Sequence, residues 1–478
     1  MKAEVFSSLK DVDKDFWNSI IKPDHIICSY EHLRAVEESG INDCDYRYIM
    51  ITENKRLLAH TCIYSISFNL DILNKGIWAR IYDSIRKNIY SQFLRIRVVE
   101  CGCPTALGST ITISDNVDRE GILRVIIQKM EEFAREKKIK ILLLRDFYDK
   151  DLFFFDKLTK QGFKRINNMP NIIIKNKWST FNDYLNDLRS HYRYKIKKTI
   201  KVWENKSLKI EIRDNFSDIA EILRELWYQV FDNAKEYQRE IITTEYFINM
   251  DKYLGNKSKI VLFKKGEEII GFLFCVLDDF TLRPIYIGMD YKYNFQYKLY
   301  FNILCQEIIY GIELKKKMIE MGITTIFPKK NLGAQVFPLY GYMKHLSFLK
   351  NIVITNLFNL FSPTPEIDIK HVYNRRYFDR IYKTSKIDVL YNNIIANATV
   401  NNINEFGVQI TIKTKMKKGR EILIRMKICD ETTPVLIKGN IVWVKKSKGK
   451  YNAGVQFIDI NDETFERIKK LLHNLEYG

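Results

Sequence analysis

Histidine and cysteine are both scarce in this 478-residue chain, and neither is grouped. The seven histidines are dispersed, and none pairs with a serine or cysteine in a recognisable nucleophile turn, which disfavours hydrolase chemistry. Of eight cysteines only Cys101 and Cys103 are close together. They lack a second pair to complete a zinc site, so no metal is expected, and nothing suggests a disulfide framework. A reducing, cytoplasmic setting fits that usage. The first residues, Met1 to Phe6, show no apolar core leading to a small-residue cleavage site, so no signal peptide is expected. No apolar run is long enough to cross a bilayer, so no transmembrane segment is expected. The nearest approach, Leu346 to Phe361, is broken by Lys350 and three asparagines and closed by Pro363 and Pro365. It reads as a helix leading into a linker. Its plain role is packing between domains, and its sharper one is peripheral contact with the inner face of a membrane.

What the chain has in quantity is apolar and basic residues. A length of 478 residues points to two or three domains, and 46% hydrophobic content with 13% aromatics is amply globular. Lys and Arg total 77 against 58 Asp and Glu, a net charge of +19. The expected partner is therefore anionic: a nucleotide, coenzyme A, RNA or an acidic membrane face.

The first 345 residues repeat one pattern twice. Residues 47–68 read as strand, polar turn, strand, and residues 259–278 read the same way. A further strand follows each, Ile96 to Cys101 and Leu282 to Gly288. An amphipathic helix comes next, with Ile122, Leu123, Ile126, Ile127, Met130 and Phe133 on one face of the first. Phe301, Leu304, Cys305, Ile308 and Ile312 form the corresponding face of the second. A short strand ends each unit, Ile139 to Leu144 and Lys317 to Met321. Two β-β-β-α-β copies form an internal repeat.

That order resembles the core of the GNAT acyltransferase fold, and its duplication resembles the FemAB-like and BioF2-like double-GNAT N-acyltransferases. Local stretches carry the likeness: Gly162-Phe163 before Met169-Pro170-Asn171, and Tyr184-Leu185-Asn186-Asp187-Leu188 leading to Arg193-Tyr194-Lys195-Ile196-Lys197-Lys198. Lys329-Lys330-Asn331-Leu332-Gly333-Ala334 completes the set. The resemblance implies an acyl donor, acyl-CoA or another acyl carrier, and an amine acceptor. The turn matching that fold's phosphate cradle runs from Gly288 through Tyr291, Lys292 and Asn294 to Tyr297 and Lys298, where free backbone N–H groups would favour phosphate. It retains a single glycine, unlike the Gly-x-Gly turn of simple acetyltransferases. Arg193 and Lys197, on a basic helix expected from about Asp183 to Val202, and Lys329 are further candidates for gripping the carrier. Asp290 and Glu320, at strand ends flanking the expected cleft, are the candidate catalytic bases. Each also has a plain reading, Asp290 as a helix cap and Glu320 as a surface strand residue.

Near the C-terminus stand Arg375-Arg376-Tyr377-Phe378-Asp379-Arg380 and then Asn402-Ile403-Asn404-Glu405-Phe406-Gly407. Arginine's planar fork suits phosphate, the O6/N7 edge of guanine, or stacking on a base. Asn402 and Asn404 would present amides, and Gly407 allows a tight backbone. With Gly439-Asn440-Ile441-Val442-Trp443 and Gly454-Val455-Gln456-Phe457 downstream, this region resembles the PilZ domain, a receptor module for cyclic di-GMP. Asn404 stands where that family usually has serine. The resemblance implies a nucleotide site at Arg375, Arg376, Arg380, Asn402, Asn404 and Gly407.

The expected fold class is therefore α/β, with duplicated GNAT-like mixed sheets, plus a small C-terminal antiparallel β-barrel. The expected division is 1–165 and 166–345 for the two halves, 346–368 for a helical linker and 369–478 for the barrel. A helix capped by Asn461-Asp462 is expected to end the barrel. The implied activity is a cyclic di-GMP-responsive N-acyltransferase. The alternatives are an aminoacyl-tRNA-dependent transferase, which would add tRNA as a partner, and a non-catalytic receptor. A DNA reader is disfavoured because the basic residues follow no known DNA-reading motif.

Overall fold

The computed structural model describes residues 1–69, 95–204, 208–234, 239–347, 349–351, 385–391, 394–404, 407–426, 434–447, 449–458, 464 and 467–468. The chain divides into two compact units, Met1–Val372 and Tyr373–Gly478. The expected linker lies mostly outside the described residues, as does most of the terminal helix.

The larger unit is one mixed sheet of 13 strands. Its first part comprises β1 (Lys2–Phe6), β2 (Asp45–Glu53), β3 (Arg56–Asn69), β4 (Arg95–Cys101), β5 (Thr112–Ile113), β6 (Ile141–Phe147) and β7 (Lys164–Lys175). The second comprises β8 (Lys209–Arg213), β9 (Ser258–Lys265), β10 (Glu268–Leu277), β11 (Thr281–Met289), β12 (Met318–Glu320) and β13 (Gln335–His345). Both repeats form as read. β2–β3 and β9–β10 are antiparallel hairpins, and each unit ends in one parallel pair, β4 with β6 and β11 with β12.

The helix Arg119–Glu136 joins β4 to β6. Asp118 caps it by accepting from Gly121 N at 3.0 Å, and its six expected apolar residues are all buried. Each fully buried side chain of that size contributes roughly 1.5–3 kcal/mol. The matching helix, Leu299–Glu313, buries Leu304, Cys305, Ile308 and Ile312, but Phe301 is 41% exposed. Leu299 and Ile303 take the inward positions instead, because the face is rotated toward the start of the helix.

The halves are not separate bodies. β6 does not pair with β7, the strand that follows it in the chain. β13 lies between them, with Met343 opposite Leu143 on one side and Lys164 on the other. β7 in turn lies between β13 and β12, where Ile174 faces Ile319. Each half thus closes on a strand of the other, and the expected division at 165/166 falls inside β7. One apolar core also runs across both halves, joining Trp17, Leu33 and Tyr48 with Phe216, Trp227, Tyr246 and Phe272. Among the described residues no helix is long and apolar enough to cross a membrane.

The smaller unit is a closed antiparallel barrel. Its strands are β14 (Ser385–Tyr391), β15 (Ile394–Asn404), β16 (Gly407–Ile412), β17 (Glu421–Met426), β18 (Val435–Ser447) and β19 (Lys450–Phe457). β14 closes the ring on β17. Val408, Ile410 and Ile412 alternate inward, as do Ile422, Ile424 and Met426, which is the two-residue period of a strand with one buried face. Trp443 lies opposite Gly454, whose absent Cβ would fall 2.0 Å from the indole Nε1. Ile468 of the terminal segment joins this core.

Candidate active site

A cavity of about 790 Å³ opens in the larger unit, a size suited to a small-molecule substrate. The first half contributes the segment Pro104 to Leu107 and Arg145. The second contributes Trp227 and Phe231 of helix Ala220–Asn233, β11 from Arg283 to Ile287, and Tyr300, Leu304 and Glu307 of helix Leu299–Glu313. The stretch from Glu320 to Lys329 completes the wall. Most of this lining is apolar, so its few charged groups stand out.

Arg283 on β11 organises three acidic residues. Its Nη1 donates to Glu320 Oε1 at 2.6 Å, its Nε to Asp278 Oδ2 at 2.9 Å, and its Nη2 to the Asp24 carbonyl at 3.1 Å. Burial opposes the guanidinium's charge, but Glu320 and Asp278 outweigh it, so its pKa is raised. Burial pushes Asp278 upward in turn, against the pull of Arg283. Asn171 on β7 also donates to Glu320 Oε1, at 3.1 Å. Glu320 is thus oriented by one residue from each half.

On the opposite wall, Arg145 Nε lies 3.0 Å from Glu100 Oε1, and its Nη1 donates to Asp146 Oδ2 at 2.8 Å. Burial raises the Asp146 carboxyl despite Arg145. Asn168 holds the other Asp146 oxygen. Glu240 accepts from the Tyr286 hydroxyl at 3.2 Å, and burial raises its pKa as well.

Glu307 and Lys329 are two further ionisable groups in the lining, and each feels the charge of the other. Burial drives Glu307 up to about 8, partly offset by Lys329, and drives Lys329 down to about 8, partly offset by Glu307. The sequence reading missed Glu307, Arg283 and Glu240. Glu307 carried a signal, since a glutamate three residues after Leu304 and four after Ile303 continues a buried helical face.

Glu320, Tyr291 and Lys329 are the expected residues that the structure brings to this cavity. Asp290 serves as a helix cap. It accepts from Lys292 N at 3.0 Å at the start of helix Tyr291–Tyr297, and it lies 2.8 Å from Lys292 Nζ. The expected phosphate turn is occupied by its own side chains. Tyr291 N donates to Gln229, Asn294 Oδ1 accepts from Tyr300 N, Tyr297 is buried, and Lys298 is left-handed at φ 49°. Lys292 is exposed, and its pKa is raised by its bonds to Asp290 and then Glu268. Gly288 serves packing, because a Cβ there would lie 2.1 Å from Phe272 and 2.8 Å from Trp227 N.

The basic helix is two helices, Phe181–Asp187 and Ser190–Glu204. Leu188 between them is extended at ψ 149°, and Asp187 is fixed by the Trp178 indole at 2.9 Å. Lys197 is exposed on the second helix, and Arg193 reaches back to Asn186.

In the barrel, Arg375, Arg376 and Arg380 lie outside the described residues. Asn402 is 5% exposed and donates to Gln409 Oε1 at 2.7 Å, so its amide is engaged within the barrel wall. Asn404 pairs by its backbone with Gly407. A Cβ on Gly407 would sit 2.5 Å from the Val455 carbonyl, so that glycine allows β16 to approach β19.

Comparison with known proteins places these features in families. A family model described as peptidoglycan biosynthesis/recognition, FemAB-like, matches residues 8–325, and a PilZ domain model matches 374–474. A putative 8-amino-7-oxononanoate synthase 2 of Mycobacterium tuberculosis (strain CDC 1551 / Oshkosh) is 27% identical over 323 residues, which is 66% of this chain and 42% of that protein. The chain therefore spans less than half the length of the curated relatives it matches. Among solved structures, FemX aligns at 11% identity with a TM-score of 0.45, covering 74% of this chain and all of that one. A tandem GNAT protein from the clavulanic acid biosynthesis pathway aligns at 8% identity with a TM-score of 0.42, covering 72% and 99%. The PilZ domain of CeSA from a cellulose-synthesizing bacterium aligns at 17% identity with a TM-score of 0.17, covering 20% and 98%. With a family model matching residues 8–325, which hold most of the cavity lining, the chain belongs to the FemAB-like family and carries a PilZ domain at its C-terminal end.

Proposed function

We propose that the larger unit is an N-acyltransferase that moves an acyl group from a thioester carrier, such as an acyl-coenzyme A, to an amine. Cyclic di-GMP, bound by the PilZ domain through Arg375, Arg376 and Arg380, would set its activity. The observation that carries the transferase reading is Glu320, which lines a largely apolar cavity and is oriented by Arg283 and Asn171. An acceptor amine arrives protonated and must lose that proton to a nearby group before it can attack. A carboxylate within reach of the amine can take that proton. Regulation requires cyclic di-GMP to bind two arrangements of the chain unequally. Both ligands are cytoplasmic metabolites, and the proposal puts the chain in that compartment.

A second reading, transfer from an aminoacyl-tRNA, is favoured by the helix Ser190–Glu204, which exposes Lys195, Lys197, Lys198 and Lys201. That row of positive charge suits an RNA backbone.

Native mass spectrometry of the full chain, with calorimetry against cyclic di-GMP, tests both units together. A copurifying acyl carrier and micromolar or tighter nucleotide binding are expected. Copurifying tRNA would select the second reading. Nucleotide binding without turnover of any acyl-coenzyme A or aminoacyl-tRNA would leave a receptor alone.

A further inference from the structure

The helix Leu299–Glu313 carries a carboxylate where its apolar face should continue. Glu307 is 1% exposed, lines the cavity, and has no hydrogen-bond partner for its Oε1 among the described residues. An ionised carboxylate in such a place is costly unless something compensates it. Lys329, in the same lining, is 5% exposed and donates to the Thr324 carbonyl at 2.7 Å. Tyr300, two turns before Glu307, also lines the cavity and shares a 2.6 Å hydrogen bond with Thr325. Glu307, Lys329 and Tyr300 thus share the cavity lining with the Arg283–Glu320 pair.

We propose that Glu307 takes the proton from the acceptor amine, with Lys329 as a charged neighbour in the same lining. This assignment rests on the acyl-transfer reading above and gives the base role within it to Glu307, leaving Glu320 paired with Arg283. An acceptor entering as R–NH3+ gives one proton to the Glu307 carboxylate. The freed nitrogen lone pair then forms a C–N bond to the thioester carbonyl carbon, and the carbonyl π pair moves onto oxygen. When that pair returns, the C–S bond breaks and sulfur leaves as thiolate. The surplus proton on nitrogen passes to the thiolate, with the Tyr300 hydroxyl placed to relay it, and Glu307 returns its proton to solvent. The products are one amide, one thiol and one proton. A base whose proton affinity lies near the working pH does this best, which agrees with the value of about 8 that burial and Lys329 give Glu307. The titratable groups that feel Glu307 are Lys329, Cys275 on β10, and Tyr300 and Cys305 on its own helix.

The test uses the full chain and a thiol-release assay of acetyl-, octanoyl- and palmitoyl-coenzyme A against lysine and tryptamine. Wild-type kcat should rise with pH through about 8. Glu307→Gln should lower kcat by roughly a hundredfold or more and abolish that rise, with KM little changed. Glu307→Asp should recover part of the rate. Lys329→Met should move the rise to higher pH, because the ammonium no longer lowers the affinity of Glu307 for its proton. A folded Glu307→Gln variant with the wild-type rate and pH profile overturns the assignment. If that variant does not fold, an unshifted profile in Lys329→Met overturns it instead. No wild-type turnover with any pair overturns the acyl-transfer reading and this assignment with it, whereas wild-type turnover with unaltered variants sinks this assignment alone.

Discussion

Arg239 from the second half of the body donates to Glu100 from the first, where the two side chains are only 5% and 1% exposed. The same Arg239 nitrogen reaches the Tyr64 hydroxyl at 2.9 Å, and Tyr64 donates to Glu100 at 2.8 Å. Arg145 approaches the other Glu100 oxygen at 3.0 Å. One buried carboxylate therefore sits between two guanidiniums and joins the halves. Removing one partner of such a group leaves the others buried and uncompensated, at a cost of roughly 3–5 kcal/mol. Glu100→Gln should lower the unfolding free energy measured in urea by that amount, through a lower midpoint at an unchanged slope. A variant as stable as wild type would show that the arginines relax to water.

The strand exchange leads to a second expectation. A fragment of residues 1–165 lacks β13 and nearly all of β7, so β6 would offer an unpaired edge. It should aggregate or remain unfolded, whereas residues 1–372 should melt in one cooperative transition. Size-exclusion chromatography with circular dichroism decides this. A monomeric, folded 1–165 fragment would mean that the exchange is dispensable.

The Glu307–Lys329 pair should also mark the pH dependence of stability. Glu307 binds its proton more tightly folded than unfolded, with a pKa near 8 against an ordinary 4.5. Its contribution is fully present below about 4.5 and is lost as pH rises through about 8. Lys329 is shifted down from 10.5 to about 8, so its contribution grows as pH rises from about 8 toward 10.5. Glu307→Gln should therefore flatten the fall in stability between pH 5 and 8, by at most about 1.4 kcal/mol per pH unit. Thermal melts across that range check it. Parallel curves for variant and wild type would mean that Glu307 is hydrated in the folded chain.

Much of the fold was legible because it is local. The hairpins β2–β3 and β9–β10 announce themselves by strand, polar turn and strand, and helix Arg119–Glu136 by the spacing from Ile122 to Phe133. The exchange of β7 and β13 was not legible, since it pairs Gln335–His345 with residues about 170 positions earlier and no local pattern encodes that choice. The break at Leu188 depends on Trp178 gripping Asp187, a tertiary contact that overrides helix propensity. At the site, the structure places Glu320, read from its strand end, in the cavity lining. Asp290 illustrates the opposite case, where an aspartate before a helix is more often its cap than a base. Arg283 was hidden among 77 basic residues, and what distinguishes it is burial beside Glu320.

Under the proposed function, ligand recognition in the PilZ domain is separate from barrel integrity, and two kinds of substitution test this. Arg376 and Arg380 are proposed to grip cyclic di-GMP, each through charge-assisted bonds worth roughly 1.5–3 kcal/mol. Arg376→Ala and Arg380→Ala should each weaken binding by at least about tenfold. Lysine at either position should restore only part, because it keeps the charge without the planar fork. The melting temperature without ligand should stay near that of wild type. Gly407→Ala should behave in the opposite way. Its new methyl would lie 2.5 Å from the Val455 carbonyl, so β16 must draw away from β19 and the barrel should lose roughly 1–3 kcal/mol of stability. Calorimetric titration beside thermal unfolding separates the two effects. Normal binding in both alanine variants, with the barrel folded, would remove the arginines from the site and with them the basis for cyclic di-GMP control.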